Sequence, residues 1–394
     1  MKKITQLFAM ALLGLATFSA CTNATDDTPV TPTPLTKGNA PSNAHKAIAV
    51  LSMIANVNYN LVTTSEAALQ QNTLKIDDAL KNNAAIRAYV GTDWRVVWGP
   101  VISNSPRKSN TSVADSFVTD NTMYVARGTS IATGKPMYVV GVAGTNIVSN
   151  KGWRSEDFNV FKLADWGMPN SGKISDGSQL GLTILSTMKD PGTGKTLLQF
   201  LGAQSDITST EIAFTGHSLG GALSPLVALK CIEWKEQMGY TNLKVSVYPI
   251  AGPTPGDAQF ATYAAQKFGE NYFSVINNYD MVPCSWQKDM FATIPTLYSS
   301  SPPFNPGGKS GFELPPSDKL AFNALKPIID LKTYKRIAPD REYVFNGTPN
   351  TYPDNSGTFF KEAGYQHTKA YFKDGFQFPQ PVIDAITLLI SNER

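Results

Sequence analysis

Ser218 lies between Gly216 and Gly220, after a short apolar run and before a segment with apolar residues at helical spacing. A serine at a sharp strand-to-helix turn adopts a strained backbone conformation, and glycines two residues before and after it leave room for the neighbouring backbone. Such a turn exposes the hydroxyl beside the free N–H groups that begin the helix. The pattern predicts a nucleophile elbow; the alternative is a glycine-rich turn with an inert serine.

A serine hydroxyl needs a base to take its proton, and histidine suits this role because its pKa lies near 6.5. The chain has three histidines. His45 precedes the serine, against the order serine, acid, histidine of α/β-hydrolases, and a capping or surface role fits its position at a helix start. His217 is adjacent to Ser218, so we expect its side chain to diverge and support the turn. His367 is the predicted base by elimination.

The acid that orients this imidazole should lie on a loop at the same end of the sheet as Ser218. Asp280 follows a predicted strand directly, and Val282-Pro283 constrain the turn after it. Asp257 also follows a strand, but it stands where a helix N-cap is wanted, which explains it sufficiently. Asp280 is therefore the predicted acid, and Asp257 is the second candidate.

The elements that must position these residues alternate between strands and helices. Strands are predicted at 95–102, 122–127, 137–142, 211–215, 243–250, 272–277 and 341–345. Helices are predicted at 44–58, 66–89, 178–188, 196–204, 222–238, 257–268 and 381–390. The alternation favours an α/β fold with a mostly parallel central sheet and helices on both faces. Residues 42–394 are interpreted as one domain, in which the proline-rich residues 285–335 form an insertion.

The composition excludes several classes of function. A chain of 394 residues with 42% hydrophobic residues can form a large core. Its 34 basic and 31 acidic residues are nearly balanced, which is not a nucleic-acid-binding signature. Neither an HExxH motif nor a pair of CxxC motifs occurs, so a dedicated zinc site has no support, and the predicted chemistry needs no cofactor.

The amino terminus has the pattern of an export signal. Residues 1–20 contain two lysines, an apolar core and small residues, and Cys21 follows them, as in a bacterial lipoprotein cleavage site. We predict a signal peptide at 1–20, a lipid attached to Cys21 and a flexible tether up to residue 41, with attachment at the outer membrane. The alternative is ordinary secretion after cleavage near Ala20. In that exported domain Cys231 and Cys284 could pair, although a buried free thiol also accounts for Cys231.

Together these residues resemble the class 3, or fungal-type, triacylglycerol lipase family over roughly residues 137–371. The resemblance rests on the elbow at residues 216–222, on Asp280-Met281-Val282-Pro283, on a turn with Pro253, Gly256 and Phe260, and on His367 followed by Tyr371 and Phe372. Two positions depart from the family pattern. Ala251 replaces a glycine, and Ala143 replaces the arginine that precedes Gly144 and Thr145.

The resemblance implies an α/β-hydrolase fold in which Ser218, His367 and Asp280 cleave ester bonds of lipids through an acyl-enzyme. It also implies an oxyanion hole formed by the N–H groups of Thr145 and Leu219, and a lid within residues 146–167. That segment is equally compatible with a packed loop. A phospholipase, a feruloyl-type esterase or an acyltransferase would carry the same residues, and the alternative outside enzymes is a surface lipoprotein that binds lipid or glycan without catalysis.

Overall fold

The computed structural model describes residues 39–107, 116–146, 149, 159–299, 312–352 and 357–391. The predicted signal peptide, Cys21 and most of the tether lie outside these residues, as does half of the predicted lid, residues 147–148 and 150–158. No helix in the described ranges is both long enough and apolar enough to cross a membrane.

The described residues form nine strands and twelve α-helices. The strands are β1 (Arg95–Arg107), β2 (Ser116–Thr129), β3 (Pro136–Val142), β4 (Leu163–Asp165), β5 (Lys173–Ser175), β6 (Glu211–His217), β7 (Lys244–Ile250), β8 (Ser274–Asn277) and β9 (Glu342–Phe345). The helices are α1 (Asn43–Ile54), α2 (Glu66–Thr73), α3 (Lys75–Asn82), α4 (Ala84–Val90), α5 (Asp176–Thr187), α6 (Leu197–Gly202), α7 (Leu219–Met238), α8 (Ala258–Phe268), α9 (Lys288–Phe291), α10 (Pro316–Asp330), α11 (Phe359–His367) and α12 (Gln380–Ser391).

Seven strands form one sheet in the order β1-β2-β3-β6-β7-β8-β9. β1, β2 and β3 are antiparallel neighbours, whereas every pair from β3 to β9 is parallel. Parallel neighbours require crossover connections, and α7 and α8 provide them between β6, β7 and β8. The predicted α/β fold with a mostly parallel sheet is confirmed, and the carboxyl ends of its central strands meet at one edge.

Both faces of the sheet are covered, as the alternation of side chains along β3 illustrates. Tyr138 and Val140 belong to a core cluster with residues of α5, α6, α7 and α8. Met137 and Val139 belong to a second cluster with residues of α1, α3, α4 and α12. Because successive side chains of a strand point to opposite faces, each apolar run of the central strands serves two cores.

The structure differs from the prediction in the amino-terminal part. The predicted helix 66–89 is divided into α2, α3 and α4. Asn83 has an extended backbone (ψ 112°), and its side chain accepts a hydrogen bond from Ile86 N–H, so it caps a new helix. β1 and β2 are also longer than predicted, because their pairing continues through polar residues to Arg107 and Ser116. Pro225 lies inside a continuous α7, although a proline in a helix interior removes one backbone hydrogen bond.

The predicted insertion contributes a third hydrophobic cluster. Trp286, Phe291, Phe322 and Leu325 from residues 285–335 pack there with Phe359 of α11, the helix that ends at His367. The insertion therefore supports the helix of the predicted base. Both cysteines of the described region are buried and free, so they do not form a disulfide.

Candidate active site

Ser218 occupies the tight turn between β6 and α7. Its backbone has φ 61° and ψ −126°, a conformation that a residue with a side chain rarely adopts. A Cβ on Gly216 would lie 2.3 Å from Gly220 O, and a Cβ on Gly220 would lie 2.2 Å from Val142 O. Both flanking glycines are thus required by close backbone contacts, for the reason predicted from the sequence.

The hydroxyl of Ser218 lies within hydrogen-bonding distance of His367. Ser218 Oγ is 2.8 Å from His367 Nε2, and His367 Nδ1 is 2.8 Å from Asp280 Oδ2. Because a carboxylate can only accept, Nδ1 carries the proton and Nε2 can accept from the serine. The structure therefore brings together the three residues that were predicted to act together, from the ends of β6, β8 and α11.

Asp280 is fully buried, and each of its oxygens is hydrogen-bonded. Oδ1 accepts from Val282 N–H at 2.9 Å, and Oδ2 accepts from Tyr371 Oη at 3.0 Å in addition to His367. Burial, followed by the charge of Asp280, raises the pKa of Tyr371 well above its ordinary value. The phenol therefore stays protonated and remains a donor to the carboxylate.

Asn277, the last residue of β8, connects the loop of Asp280 to the helix of His367. Its Nδ2 donates to the backbone oxygen of Gln366 at 3.0 Å and to Gln366 Oε1 at 2.7 Å. Its Oδ1 accepts from Gly347 N–H and Tyr279 N–H at 2.9 and 3.1 Å. Sequence reasoning missed this residue, although an asparagine that ends an apolar strand three residues before the predicted acid was an available signal.

The second acid candidate has a different role. Asp257 Oδ1 accepts from Phe260 N–H at 2.8 Å, so Asp257 is the N-cap of α8. This is the structural explanation that the sequence favoured, and the carboxylate bonded to His367 belongs to Asp280.

The other two histidines have structural contacts. His217 Nε2 donates to the backbone oxygen of His367 at 2.7 Å, so His217 supports the segment of His367 and not only its own turn. Burial, followed by the proximity of His367, lowers the pKa of His217 to about 3, which keeps it neutral. His45 Nδ1 accepts from Ser42 N–H in a capping box, which confirms the predicted capping role.

The two predicted oxyanion residues lie on opposite sides of the elbow. Leu219 is the first residue of α7, where a backbone N–H has no intrahelical acceptor. Thr145 follows Gly144 just beyond β3, and a Cβ on Gly144 would lie 2.7 Å from His217 O and 3.1 Å from Ser218 Cβ. Only glycine at position 144 allows the backbone after β3 to come this close to the elbow. The end of β3 and the start of α7 therefore both border Ser218.

A cavity of about 390 Å³ opens beside Ser218 and His367 and is lined largely by apolar side chains. Its walls come from α1, from the insertion and from the carboxyl-terminal segment; they include Met53, Trp286, Phe291, Phe322, Leu325, Phe372 and Ile390. Thr145 and Leu219 also line it. The described part of the predicted lid, residues 146, 149 and 159–167, does not line the cavity, and the rest lies outside the described residues.

Metal-binding geometry is absent from the described part of the chain. No group of three or more histidine, cysteine, aspartate or glutamate side chains there could hold a metal ion.

Among known proteins, lipases resemble this chain in sequence and in structure. The sequence model of the class 3 lipase family matches residues 143–289. A lipase of Rhizomucor miehei is 39% identical over 75 residues, which cover 19% of this chain and 20% of that relative. The chain thus spans only about a fifth of the length of this curated relative.

The crystal structure of M37 lipase is similar over much more of the molecule. It superposes with a TM-score of 0.68 and 27% sequence identity, and the alignment covers 88% of this chain and 98% of that lipase. The matched family segment contains the elbow and Asp280, and the fold surrounding it is shared with a lipase. Residues 143–289 thus match the class 3 lipase family, and the chain shares the α/β-hydrolase fold of a lipase over 88% of its length.

Proposed function

We propose that this protein is a serine hydrolase that cleaves carboxylic ester bonds of lipids through an acyl-enzyme. Ser218 is the nucleophile, His367 the general base and acid, and Asp280 the group that orients the imidazole. The observation that carries the proposal is the pair of 2.8 Å contacts that joins these three side chains beside an apolar cavity.

In the first half of the reaction, Ser218 Oγ attacks the ester carbonyl carbon while His367 Nε2 takes the hydroxyl proton. Negative charge develops on the carbonyl oxygen, and the N–H groups of Thr145 and Leu219 stabilise it. The imidazolium then transfers its proton to the alcohol oxygen as the ester bond breaks. Asp280 stabilises this cation and holds Nδ1–H, so that Nε2 faces the serine.

In the second half, water replaces the alcohol. His367 Nε2 takes a proton from water as its oxygen attacks the acyl carbon, and the same oxyanion donors stabilise the second tetrahedral intermediate. The proton returns to Ser218 Oγ as the carboxylic acid leaves. Ser218 and His367 are then in their starting protonation states, and water is the only other reactant. The cycle therefore consumes no cofactor.

The cavity supports an apolar acyl group as the part of the substrate bound next to Ser218. Its volume of about 390 Å³ lies within the range of roughly 300–1,000 Å³ that is common for small-molecule sites. We propose triacylglycerol as the substrate class. Phospholipids, feruloyl-type esters and acyl transfer to an alcohol are the alternatives within enzymes, and binding without turnover is the alternative outside them, although binding alone needs no serine paired with histidine.

Hydrolysis of p-nitrophenyl esters of increasing chain length, measured beside a triglyceride emulsion and a phospholipid dispersion, tests this proposal. We expect turnover of medium or long acyl esters and of the emulsion, together with labelling of Ser218 by a fluorophosphonate. Turnover restricted to phospholipid or to feruloyl esters would change the substrate class. Failure of both hydrolysis and labelling would favour the binding protein.

We also propose that the protein is exported and attached to the outer membrane through a lipid on Cys21. A lipoprotein cysteine carries two or three acyl chains, and each buried CH₂ group contributes about 0.8 kcal/mol, which makes attachment effectively permanent. Residues 22–41, rich in threonine, proline and aspartate, would separate the hydrolase domain from the membrane.

Cys21→Ser tests the anchor. We expect the variant to appear in the soluble fraction or to remain unprocessed, while its domain still hydrolyses soluble esters. A wild-type protein that partitions entirely into the aqueous phase of a detergent extraction, or whose mature amino terminus is not Cys21, would show that the protein is simply secreted.

A further inference from the structure

The backbone that follows β3 is held by a side chain from far upstream in the sequence. Asn56, just beyond α1, accepts a hydrogen bond at Oδ1 from Gly144 N–H at 2.8 Å. Its Nδ2 donates to Met53 O at 3.1 Å and to Ser52 O at 3.4 Å. The carboxamide therefore connects the last turn of α1 to the peptide that precedes Thr145.

The orientation of this carboxamide is determined by its surroundings. Asn56 is 7% exposed, and its amide is bonded on both sides, with two carbonyl oxygens at the nitrogen and one N–H at the oxygen. Exchanging the nitrogen and oxygen would place donor against donor and acceptor against acceptor. Because α1 lies in the second core cluster, Asn56 is attached to a rigid element.

Gly144 is confined from two directions. A Cβ on it would meet His217 O at 2.7 Å on the elbow side and Asn56 Oδ1 at 3.3 Å on the side of α1. Ala143, which stands where the resembling family has an arginine, has a side chain that cannot form hydrogen bonds. Asn56, which lies outside the matched family segment, supplies a polar side-chain contact to this turn.

We infer that Asn56 is a positioning residue for the oxyanion donor of Thr145. The inference rests on the proposed function. An oxyanion hole lowers the barrier because its dipoles are already oriented when charge develops, so a small rotation of the peptides around Gly144 reduces stabilisation of the transition state more than binding of the ester. Asn56 acts through Gly144 and Thr145 and takes no part in proton transfer.

Asn56→Leu is the informative variant, and Asn58→Leu is its matched control. Asn58 is also a buried amide near the end of α1; its Nδ2 donates to Leu69 O at 3.3 Å and Thr119 Oγ1 at 2.9 Å, and it is not among the residues that line the cavity. Both variants should have a lower melting temperature. Only Asn56→Leu should lower kcat, by about 10- to 100-fold, with little change in KM.

A transition-state analogue provides a readout that loss of stability does not affect. A boronic acid with an alkyl chain forms a tetrahedral adduct with the serine, so its inhibition constant should rise in Asn56→Leu by about the same factor as kcat falls, and should not change in Asn58→Leu. If Asn56→Leu does not fold, Asn56→Asp retains the shape and the acceptor for Gly144 N–H. It cannot donate to Ser52 O and Met53 O and adds negative charge near the hole, so it should also lower kcat.

Equal kcat losses in the Asn56 and Asn58 variants, or Asn56 variants that alter only KM and melting temperature, would overturn this inference alone. A wild-type protein that neither hydrolyses esters nor reacts with a fluorophosphonate at Ser218 would overturn the proposed function and, with it, the role of Asn56. The two failures are therefore distinguishable.

Discussion

On one side of Ser218 the polar groups are side chains, whereas on the other side they are backbone amides. The acid–base side consists of His367 and Asp280, with Tyr371 and Asn277 around them. The proposed oxyanion side consists of the N–H groups of Thr145 and Leu219; next to Thr145, Gly144 lies close to the elbow and donates a hydrogen bond to Asn56.

The two sides depend on the sequence in different ways. A side chain that transfers protons must be of one residue type, so few candidates exist and their order along the chain selects among them. A backbone N–H is present in almost every residue, so its role depends on how closely two backbone segments approach each other. Substitutions on the acid–base side should therefore remove chemistry, whereas those on the oxyanion side should act by displacing backbone.

Ser218→Ala should have the largest effect, because it removes the nucleophile and leaves only the oxyanion side and substrate binding. Ester turnover should fall by about 10⁴- to 10⁶-fold. The residual rate, measured with a p-nitrophenyl ester, indicates how much the oxyanion side contributes alone. Fluorophosphonate labelling at another residue in the wild type would show that the nucleophile is misassigned.

Asp280→Asn should lower kcat by about 10⁴-fold, because an amide no longer selects the Nδ1–H tautomer of His367. Asp257→Asn is the matched control. Asparagine is as good an N-cap as aspartate, so that variant should retain both stability and activity. A larger loss of activity in Asp257→Asn than in Asp280→Asn would contradict the assigned acid.

Gly144→Ala tests the oxyanion side. The added methyl group would lie 2.7 Å from His217 O, so the end of β3 must move away from the elbow. We expect kcat to fall by about 10²- to 10³-fold, as after removal of one oxyanion donor. Gly192→Ala is the control, because its Cβ would meet only Asp190 Oδ2 at 3.4 Å. Unchanged kcat in Gly144→Ala would mean that catalysis does not require the close approach of Gly144 to the backbone of His217.

Tyr371→Phe should weaken the acid–base side without disabling it. Asp280 keeps Val282 N–H and His367 as partners, so kcat should fall by about 10-fold or less. The N–H of Asn277 loses its acceptor, and the free energy of unfolding should fall by about 1–3 kcal/mol. Urea unfolding and ester kinetics measure the two effects, with the half-buried Tyr365→Phe as a control. A loss of activity as large as that of Asp280→Asn would show that the phenol has a direct role.

His217 should affect stability at acidic pH and have the smallest effect on activity. Its pKa of about 3 in the folded protein lies below the ordinary value of 6.5, so the unfolded chain binds more protons between those pH values. The stabilisation is fully present above pH 6.5 and decreases as the pH falls towards 3, by about 1.4 kcal/mol per pH unit. His217→Gln can still donate to His367 O and should flatten this dependence in urea unfolding at pH 7, 5.5 and 4.5. An unchanged slope would argue against the lowered pKa.

The sequence by itself predicted the fold class, most central strands and helices, and the three side chains that meet at the elbow. Strands and helices could be predicted because each buries one face, and the apolar residues of that face recur every second residue in a strand and every three to four residues in a helix. The steric need for glycine at 216 and 220 was equally predictable, because the strained turn is local. The role of Asp257 as an N-cap was predictable for the same reason.

The tertiary structure alone decided which distant segments complete the site. Asn56 meets Gly144 across 88 positions, and Asn277 meets Gln366 across 89, and no local pattern predicts which distant residue either asparagine contacts. The division of residues 66–89 into three helices and the cavity walls from α1, the insertion and α12 likewise depend on packing between remote elements. Hydrogen bonds and buried surfaces of this kind depend on how the sheet places the strand ends. The three side chains proposed to act in catalysis could therefore be predicted from their residue types, whereas the distant residues that hold them in place could not.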